Sequence, residues 1–278
     1  MKTNGKGRAH KAGPFSVIGA EFEKEKMSDY LDSLLYDDAL TSGGEPLRVA
    51  SVRSHYYVGL DIGQKRDHTA MAIVERAQLF FEGRDPVTYA PLERVEHRLR
   101  YLKRLPLGLP YSSDDGQPSV VGWVATMMER LRAHYCGIHG KAAGDGFTLV
   151  ADATGVGTPV VELLRQARLR CQLVAVTITV GAREAQTRDG WNVPKRDLVT
   201  GLQVMYERDE LRMADRMKLA GTLQEELANM GSRVTETGKE TYSAWREGVH
   251  DDLVLAVALA VWRARQGRKS PWGRVRLV

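Results

Sequence analysis

The sequence predicts an α/β protein built on a mixed sheet, three antiparallel strands followed by parallel ones, with helices on both faces. Three observations predict it. Residues 56–62 (YYVGLDI), 69–76 (TAMAIVER) and 94–105 (RVEHRLRYLKRL) follow one another as strand-like segments with no helical segment between them. From residue 119 onward, helix-like and strand-like segments alternate. Two of the later strand-like segments, GFTLVADA (146–153) and CQLVAVTIT (171–179), are continuous apolar runs, as central strands buried on both faces must be. Such alternation packs helices against both faces of a sheet.

The elements follow in order. Residues 1–14 are rich in Gly and Lys, contain no large apolar residue beyond the initial Met, and are expected to be disordered. Residues 20–40 read as an acidic, weakly amphipathic helix ended by TSGGEP, outside the main core. The expected division is therefore 1–54 as basic tail plus acidic helical appendage, 55–266 as the main domain, and 267–278 as a basic C-terminal tail. Within the main domain the polar loop GQKRDH joins the first two strands, and SVVGWVATMMERLRAHY (119–135) is helical after the breaker GQP. TPVVELLRQARL (158–169) is a second helix. VPKRDLVTGLQVMYERD (193–209) is a third, with Pro near its first turn where a fixed φ suits a helix start. LRMA (211–214) is a short strand, KLAGTLQEELANM (218–230) a helix, and GSRVTETGKETYSA (231–244) a hairpin turning at Thr-Gly. DDLVLAVALAVWRARQ (251–266) is apolar nearly all round, so it is expected to be a buried helix.

Composition excludes several classes of function. No segment approaches the roughly 18 to 20 apolar residues that span a bilayer, and the basic N-terminus has no apolar stretch of a secretory signal behind it, so no membrane partner is expected. Two cysteines, Cys136 and Cys171, without CxxC or zinc-type spacing, fit a reduced, cytoplasmic setting. The net charge is +5, yet eight acidic and only two basic residues fall between Glu21 and Glu45, so the rest of the chain is more basic than the total suggests. The last sixteen residues carry six Arg or Lys and no acid. Basic ends of this kind suit a phosphate backbone, and equally a solubilising tail.

The chemistry lies in the carboxylates. Asp61 ends the first strand, Asp152 ends the fourth in LVADATGVG, and Asp251 and Asp252 begin the last helix in GVHDDLVLAVALAVW. Ligands in open α/β sheets gather at the carboxyl ends of strands. A helix starting there with two aspartates brings a third carboxylate to the pair, and hard divalent cations are the natural counter-charge. Each residue also has a local explanation. Asp61 could serve a turn before Gly63, Asp152 could cap the next helix, and Asp251 or Asp252 could be an ordinary N-cap. Nucleotide phosphate is the alternative ligand for such an edge, because GLDIGQKRDHTA also resembles the phosphate loop of sugar kinases and actin-like ATPases. There is, however, no GxxxxGK[ST] in the chain.

Taken together, GLDIGQKRDHTA, VADATGVGTPVVELL, WNVPKRDLV and HDDLVLAVALAVW, in this order and spacing, resemble the nuclease domain of phage terminase large subunits, over approximately residues 55–266. That resemblance implies an RNase H-like fold, shared with Holliday-junction resolvases and retroviral-type integrases. It implies a metal-dependent DNA endonuclease cutting double-stranded DNA during viral genome packaging, with two Mg²⁺ or Mn²⁺ ions. By motif position Asp61 and Asp152 match the first two ligands, and the third falls within HDD. Asp252 fits the resolvase-like pattern better, and Asp251 stays open. Only about 55 residues precede the first strand, so the expectation is a nuclease without its own ATPase domain, working with a separate packaging ATPase, small terminase subunit or portal. The expected site is the host-cell cytoplasm. Resolvase-like action on branched DNA, an actin-fold kinase or ATPase, and a non-catalytic packaging component are the alternatives.

Around the carboxylates, His250 is a second-layer residue or proton shuttle, with the structural role favoured, and Asp67 a loop neighbour. Lys65, Arg66, Arg183, Lys195 and Arg196 are candidates for phosphate contact. Thr154 and the amides of Gly155 and Gly157 are candidates at a helix N-terminus.

Overall fold

The computed structural model describes residues 41–42, 45–46, 48–63, 67–113, 117–139, 146–213, 217–234, 240–244 and 250–266. The tail and helix expected within 1–40, and the basic tail 267–278, lie outside these residues. A two-residue pair, β1 (Thr41–Ser42) and β2 (Glu45–Pro46), precedes the main sheet. Then come β3 (Val49–Asp61), β4 (Ala70–Arg84), β5 (Pro91–Arg104), α1 (Val120–His139), β6 (Phe147–Asp152) and α2 (Gly157–Gln166). They are followed by β7 (Gln172–Thr179), β8 (Ala185–Gln186), β9 (Trp191–Pro194), α3 (Lys195–Glu207) and β10 (Leu211–Met213). The described chain ends with α4 (Ala220–Asn229), the hairpin β11 (Met230–Val234) and β12 (Glu240–Ala244), and α5 (Asp252–Gln266).

The main sheet has eight strands in the order β10-β5-β4-β3-β6-β7-β9-β8. β3, β4 and β5 are antiparallel neighbours, and β6, β7 and β9 continue from β3 in parallel. This is the mixed sheet that the sequence predicts, with β10 parallel to β5 at one edge and β8 antiparallel to β9 at the other.

Two differences from the sequence reading have plain causes. β3 is 13 residues long because β4 continues to pair with it back to Val49, beyond the apolar run that begins at Tyr56. Trp191–Pro194 is a strand rather than the start of a helix. Pro194 sits at φ −61°, ψ 132°, and disfavours helix in the residue before it, while β7 offers a free edge for pairing. The helix therefore begins at Lys195. In β5 the charged residues Glu96, Arg98 and Arg100 are buried. Arg100 Nε donates to Glu75 Oε2 at 2.6 Å, and Arg98 Nε to Glu96 Oε2 at 2.9 Å.

Strand parity sorts the core into two layers. Tyr56, Val58, Leu60 and Ile62 face α1 and α2, together with Phe147, Leu149 and Ala151 of β6. Tyr57 and Val150 face the opposite side, where α3, α4 and α5 pack. α5 is buried from Asp252 to Trp262 and lies flat on β3 and β4. Its seat is Gly59, where a Cβ would meet the carbonyl oxygen of Ala256 at 1.9 Å. Gly59→Ala is expected to lower stability by about 3 kcal/mol or more, because strand or helix must move to admit a methyl group. Gly221→Ala, in α4 with open space around it, is expected to be neutral or slightly stabilising. Urea denaturation of the two variants checks the contrast.

Candidate active site

The same parity that seats α5 on Gly59 turns Asp61, two residues on, toward the N-terminus of that helix. On the parallel neighbour, Val150 faces α5 and Asp152, two residues on, does likewise. Leu60 is paired with Ala151, so Asp61 and Asp152 are the next neighbours across the ladder, both at the carboxyl ends of their strands. They are 8% and 9% exposed.

The row continues across the sheet in the other direction. Asp61 pairs with Ala70 on β4, and Ala70 with Arg104 at the end of β5. Arg104 Nε donates to Asp252 Oδ2 at 2.7 Å and its Nη2 to Asp252 Oδ1 at 3.1 Å, so both oxygens of Asp252 are engaged. Arg104 Nη2 also pairs with Glu226 of α4. Glu226 Oε2 in turn accepts from the amides of Leu253 (3.1 Å) and Val254 (3.2 Å). The free amides at the start of α5 are thus satisfied by a carboxylate from another helix. Asp252, 3% exposed, is held between Arg104 and the core.

Asp251, one residue earlier, points elsewhere. Its Oδ2 lies 2.6 Å from Lys195 Nζ, with both side chains 26% exposed. Lys195 is the first residue of α3, directly after β9. Asp152 is also ordered locally. Its Oδ1 accepts from the Thr154 amide at 2.8 Å, while the Thr154 hydroxyl accepts from the Ile178 amide at 2.8 Å, tying this turn to β7. Gly157 is required by the same turn, since a Cβ there would meet the Asp152 carbonyl oxygen at 2.1 Å. α2 has no side-chain cap, so Asp152 does not cap it.

Electrostatics follow from this crowding. Burial first, then Asp152, Asp251 and Asp252, hold Asp61 well above the usual carboxylate range, against the pull of Lys195. Burial also raises Asp152, opposed by the Thr154 hydroxyl and amide and by Lys195. Burial and Asp252 push Glu226 up to about 7, despite Arg104 and the two helix amides. Carboxyls outnumber cations here, Asp61, Asp152, Asp251, Asp252 and Glu226 against Lys195 and Arg104. Among the described residues no three His, Cys, Asp or Glu side chains are gathered closely enough to hold a metal ion as they stand. The directions of Asp251 and Asp252, toward Lys195 and Arg104, account for this.

The remaining sequence candidates are dispersed. His250 lies on the lip, its Nδ1 4.0 Å from Asp67 and its ring edge-on to His68, whose own Nδ1 is 2.9 Å from the Leu105 carbonyl oxygen. Arg183 and Thr154 are exposed, and Arg196 pairs at 3.3 Å with its neighbour Asp197 on the surface. Lys65 and Arg66 lie outside the described residues. Arg104, Glu226 and His68 were not anticipated. Arg104 ends a strand as Asp61 does and carried a signal; Glu226, inside a helix, carried none.

No family model and no curated protein sequence matches the chain. Its structure is similar to large terminase nuclease domains of several phages. The large terminase nuclease from thermophilic phage G20c matches at 18% identity and a TM-score of 0.42, covering 85% of this chain and 97% of that one. The same nuclease with bound magnesium matches at 20% and 0.43, over 85% and 96%. The nuclease domain of the large terminase from bacteriophage SPP1, with bound Mn, matches at 12% and 0.39, over 75% and 86%. At such identities and TM-scores the chemistry has to come from the carboxylates themselves.

The raised carboxyls set a pH dependence. A group whose folded-state pKa lies above its unfolded value binds more protons when folded, so its stabilisation is complete at low pH and lost as pH rises through the folded value. For Glu226 that window runs from 4.5 to about 7, and Asp61 and Asp152 act in the same sense. The urea midpoint of the metal-free protein is expected to fall across this window, and Glu226→Gln to remove part of the fall. An undiminished slope in Glu226→Gln would show that Glu226 does not titrate there. Arg104→Met, measured at pH 8, is expected to cost about 3 kcal/mol by stranding two buried carboxylates.

Proposed function

We propose that the chain is a metal-dependent DNA endonuclease of the terminase type, hydrolysing phosphodiester bonds with two Mg²⁺ or Mn²⁺ ions held by Asp61, Asp152 and Asp251. One observation carries the reading: strand parity and helix α5 bring buried, mutually repelling carboxyls to one sheet end, with more acids than cations around them. Oxygen-only donors in such excess fit hard divalent cations. Of the two aspartates beginning the last helix, Asp251 is the better third ligand. Asp251 is 26% exposed at its side chain and its partner is a single flexible ammonium, whereas Asp252, 5% exposed, gives both oxygens to the guanidinium fork of Arg104.

Divalent ions held by Asp61, Asp152 and Asp251 would supply an acidified water and positive charge for the departing 3′-oxygen, and hydrolysis of this kind would leave 5′-phosphate and 3′-hydroxyl ends. The residues of the chain do the rest. Asp61, between Asp152 and the start of α5, would hold metal together with Asp152 and Asp251. The Thr154 amide fixes the rotamer of Asp152, and the Thr154 hydroxyl ties the turn to β7. Arg104 and Glu226 hold the first turn of α5, and with it Asp251, against the sheet end. His250, on the lip, is placed beside Asp67 and His68 rather than in the carboxylate row. Lys65, Arg66, Arg183 and Arg196 are assigned to the DNA backbone, where arginine and lysine neutralise phosphates irrespective of sequence. Other components of a packaging complex, such as a small terminase subunit or portal, would supply the site of cutting.

Incubation of purified protein with supercoiled plasmid and Mn²⁺ or Mg²⁺ tests the reading. Nicking and linearisation are expected, abolished by EDTA. Asp61→Asn, Asp152→Asn and Asp251→Asn are each expected to lose at least about 100-fold in rate, on the scale of removing a group that stabilises transition-state charge. Asp252→Asn is expected to lose less activity and more thermal stability. Full activity in Asp61→Asn and Asp152→Asn would sink the proposed site.

A further inference from the structure

Lys195 stands where the proposed ligands meet. As the first residue of α3, directly after β9, it is carried by the backbone to the sheet end that holds Asp61 and Asp152. Its Nζ lies 2.6 Å from Asp251 Oδ2. Its charge also acts on Asp61 and Asp152, opposing in both the effect of burial. One ammonium thus faces three carboxyls. The other cation of the cluster, Arg104, is already shared between Asp252 and Glu226. Among the described residues no three carboxylates are gathered for a metal ion, and Asp251 is drawn to Lys195 instead.

We propose that Lys195 is the resident counter-cation of this site and competes with divalent metal for Asp251, so that metal loading requires its ammonium to leave. The inference rests on the metal-dependent reading above and deepens it. An ammonium on a four-carbon stem is a point charge that swings away without backbone movement, unlike the bidentate guanidinium of Arg104. Both partners of the pair are 26% exposed, which leaves solvent for the displaced chain to enter. A divalent ion held by three carboxylates gains more than a single positive charge does, so the exchange proceeds, at a cost in metal affinity. The full carboxylate set becomes available only when metal is present. Until then the lysine relieves repulsion among acids that would otherwise be unpaired.

Mn²⁺ titration of the full chain by calorimetry, without DNA, tests this directly. Lys195→Met is expected to bind Mn²⁺ about fivefold more tightly than the unsubstituted protein, the factor that corresponds to a part-exposed ion pair. Arg196→Met removes the same charge next door without touching a site carboxylate, and is expected to leave Mn²⁺ affinity within about twofold. Lys195→Arg is expected to bind Mn²⁺ more weakly, since a guanidinium holds a carboxylate in two places. In the absence of metal, Lys195→Met is expected to melt earlier, and Mn²⁺ to restore more of its stability than it adds to the unsubstituted protein. Equal or weaker Mn²⁺ binding by Lys195→Met overturns the proposal. If that variant does not fold, Mn²⁺ affinity in Lys195→Arg equal to or greater than that of the unsubstituted protein overturns it as well. Failure of the metal reading is a separate result: the unsubstituted protein would show no saturable Mn²⁺ binding that Asp61→Asn removes.

Discussion

The contact on which the rest depends is between two backbones, that of α5 and that of β3 at Gly59. A helix buried on every side has to be enclosed, and it can lie against a central strand only where no side chain intervenes. The closeness of that contact fixes how far along the sheet the helix begins. It also fixes which residues of its first turn look down the row formed by Asp152, Asp61, Ala70 and Arg104. Loosening the contact would move the carboxylates of α5 relative to those of the strands, so packing in the core and geometry at the sheet end are one constraint.

The charges at that end are divided between two tasks. Asp252, Arg104 and Glu226 form a buried cluster in which every oxygen and nitrogen named above is engaged with another element, β5, α4 or α5. Such a cluster holds elements together at a desolvation cost that tolerates no missing partner. Asp61, Asp152 and Asp251 are left with one ammonium, which can be exchanged. Adjacent aspartates on one helix therefore have opposite characters, one locked into the fold and one available at the site. The asymmetry arises from their surroundings, since both are aspartates in the same turn.

Much of the fold was legible because it depends on local pattern. The apolar runs of β6 and β7, the all-round apolarity of α5, and the succession of strands before helices each reflect a burial requirement written over a few residues. What escaped was structure imposed by a neighbour. The outer half of β3 and the strand at Trp191–Pro194 exist because β4 and β7 present edges to pair with. Their own residues are weakly patterned. The buried charges of β5 escaped for the same reason, as only the facing Glu75 reveals that Arg100 is not in solvent.

For the site, the sequence by itself determined that Asp61 and Asp152 end strands and that two aspartates open the last helix. Period-two alternation then put the strand pair on one face, because each lies two residues beyond a residue facing α5. It did not determine which of Asp251 and Asp252 turns inward, or that Glu226 and Lys195 come from distant helices to meet them. Asp251 immediately precedes α5 and Asp252 opens it, so the choice depends on the rotation of α5 about its axis. That rotation is set by the glycine on which the helix rests and by Arg104 at the end of a strand almost 150 residues away in the chain. Long-range packing alone decides it.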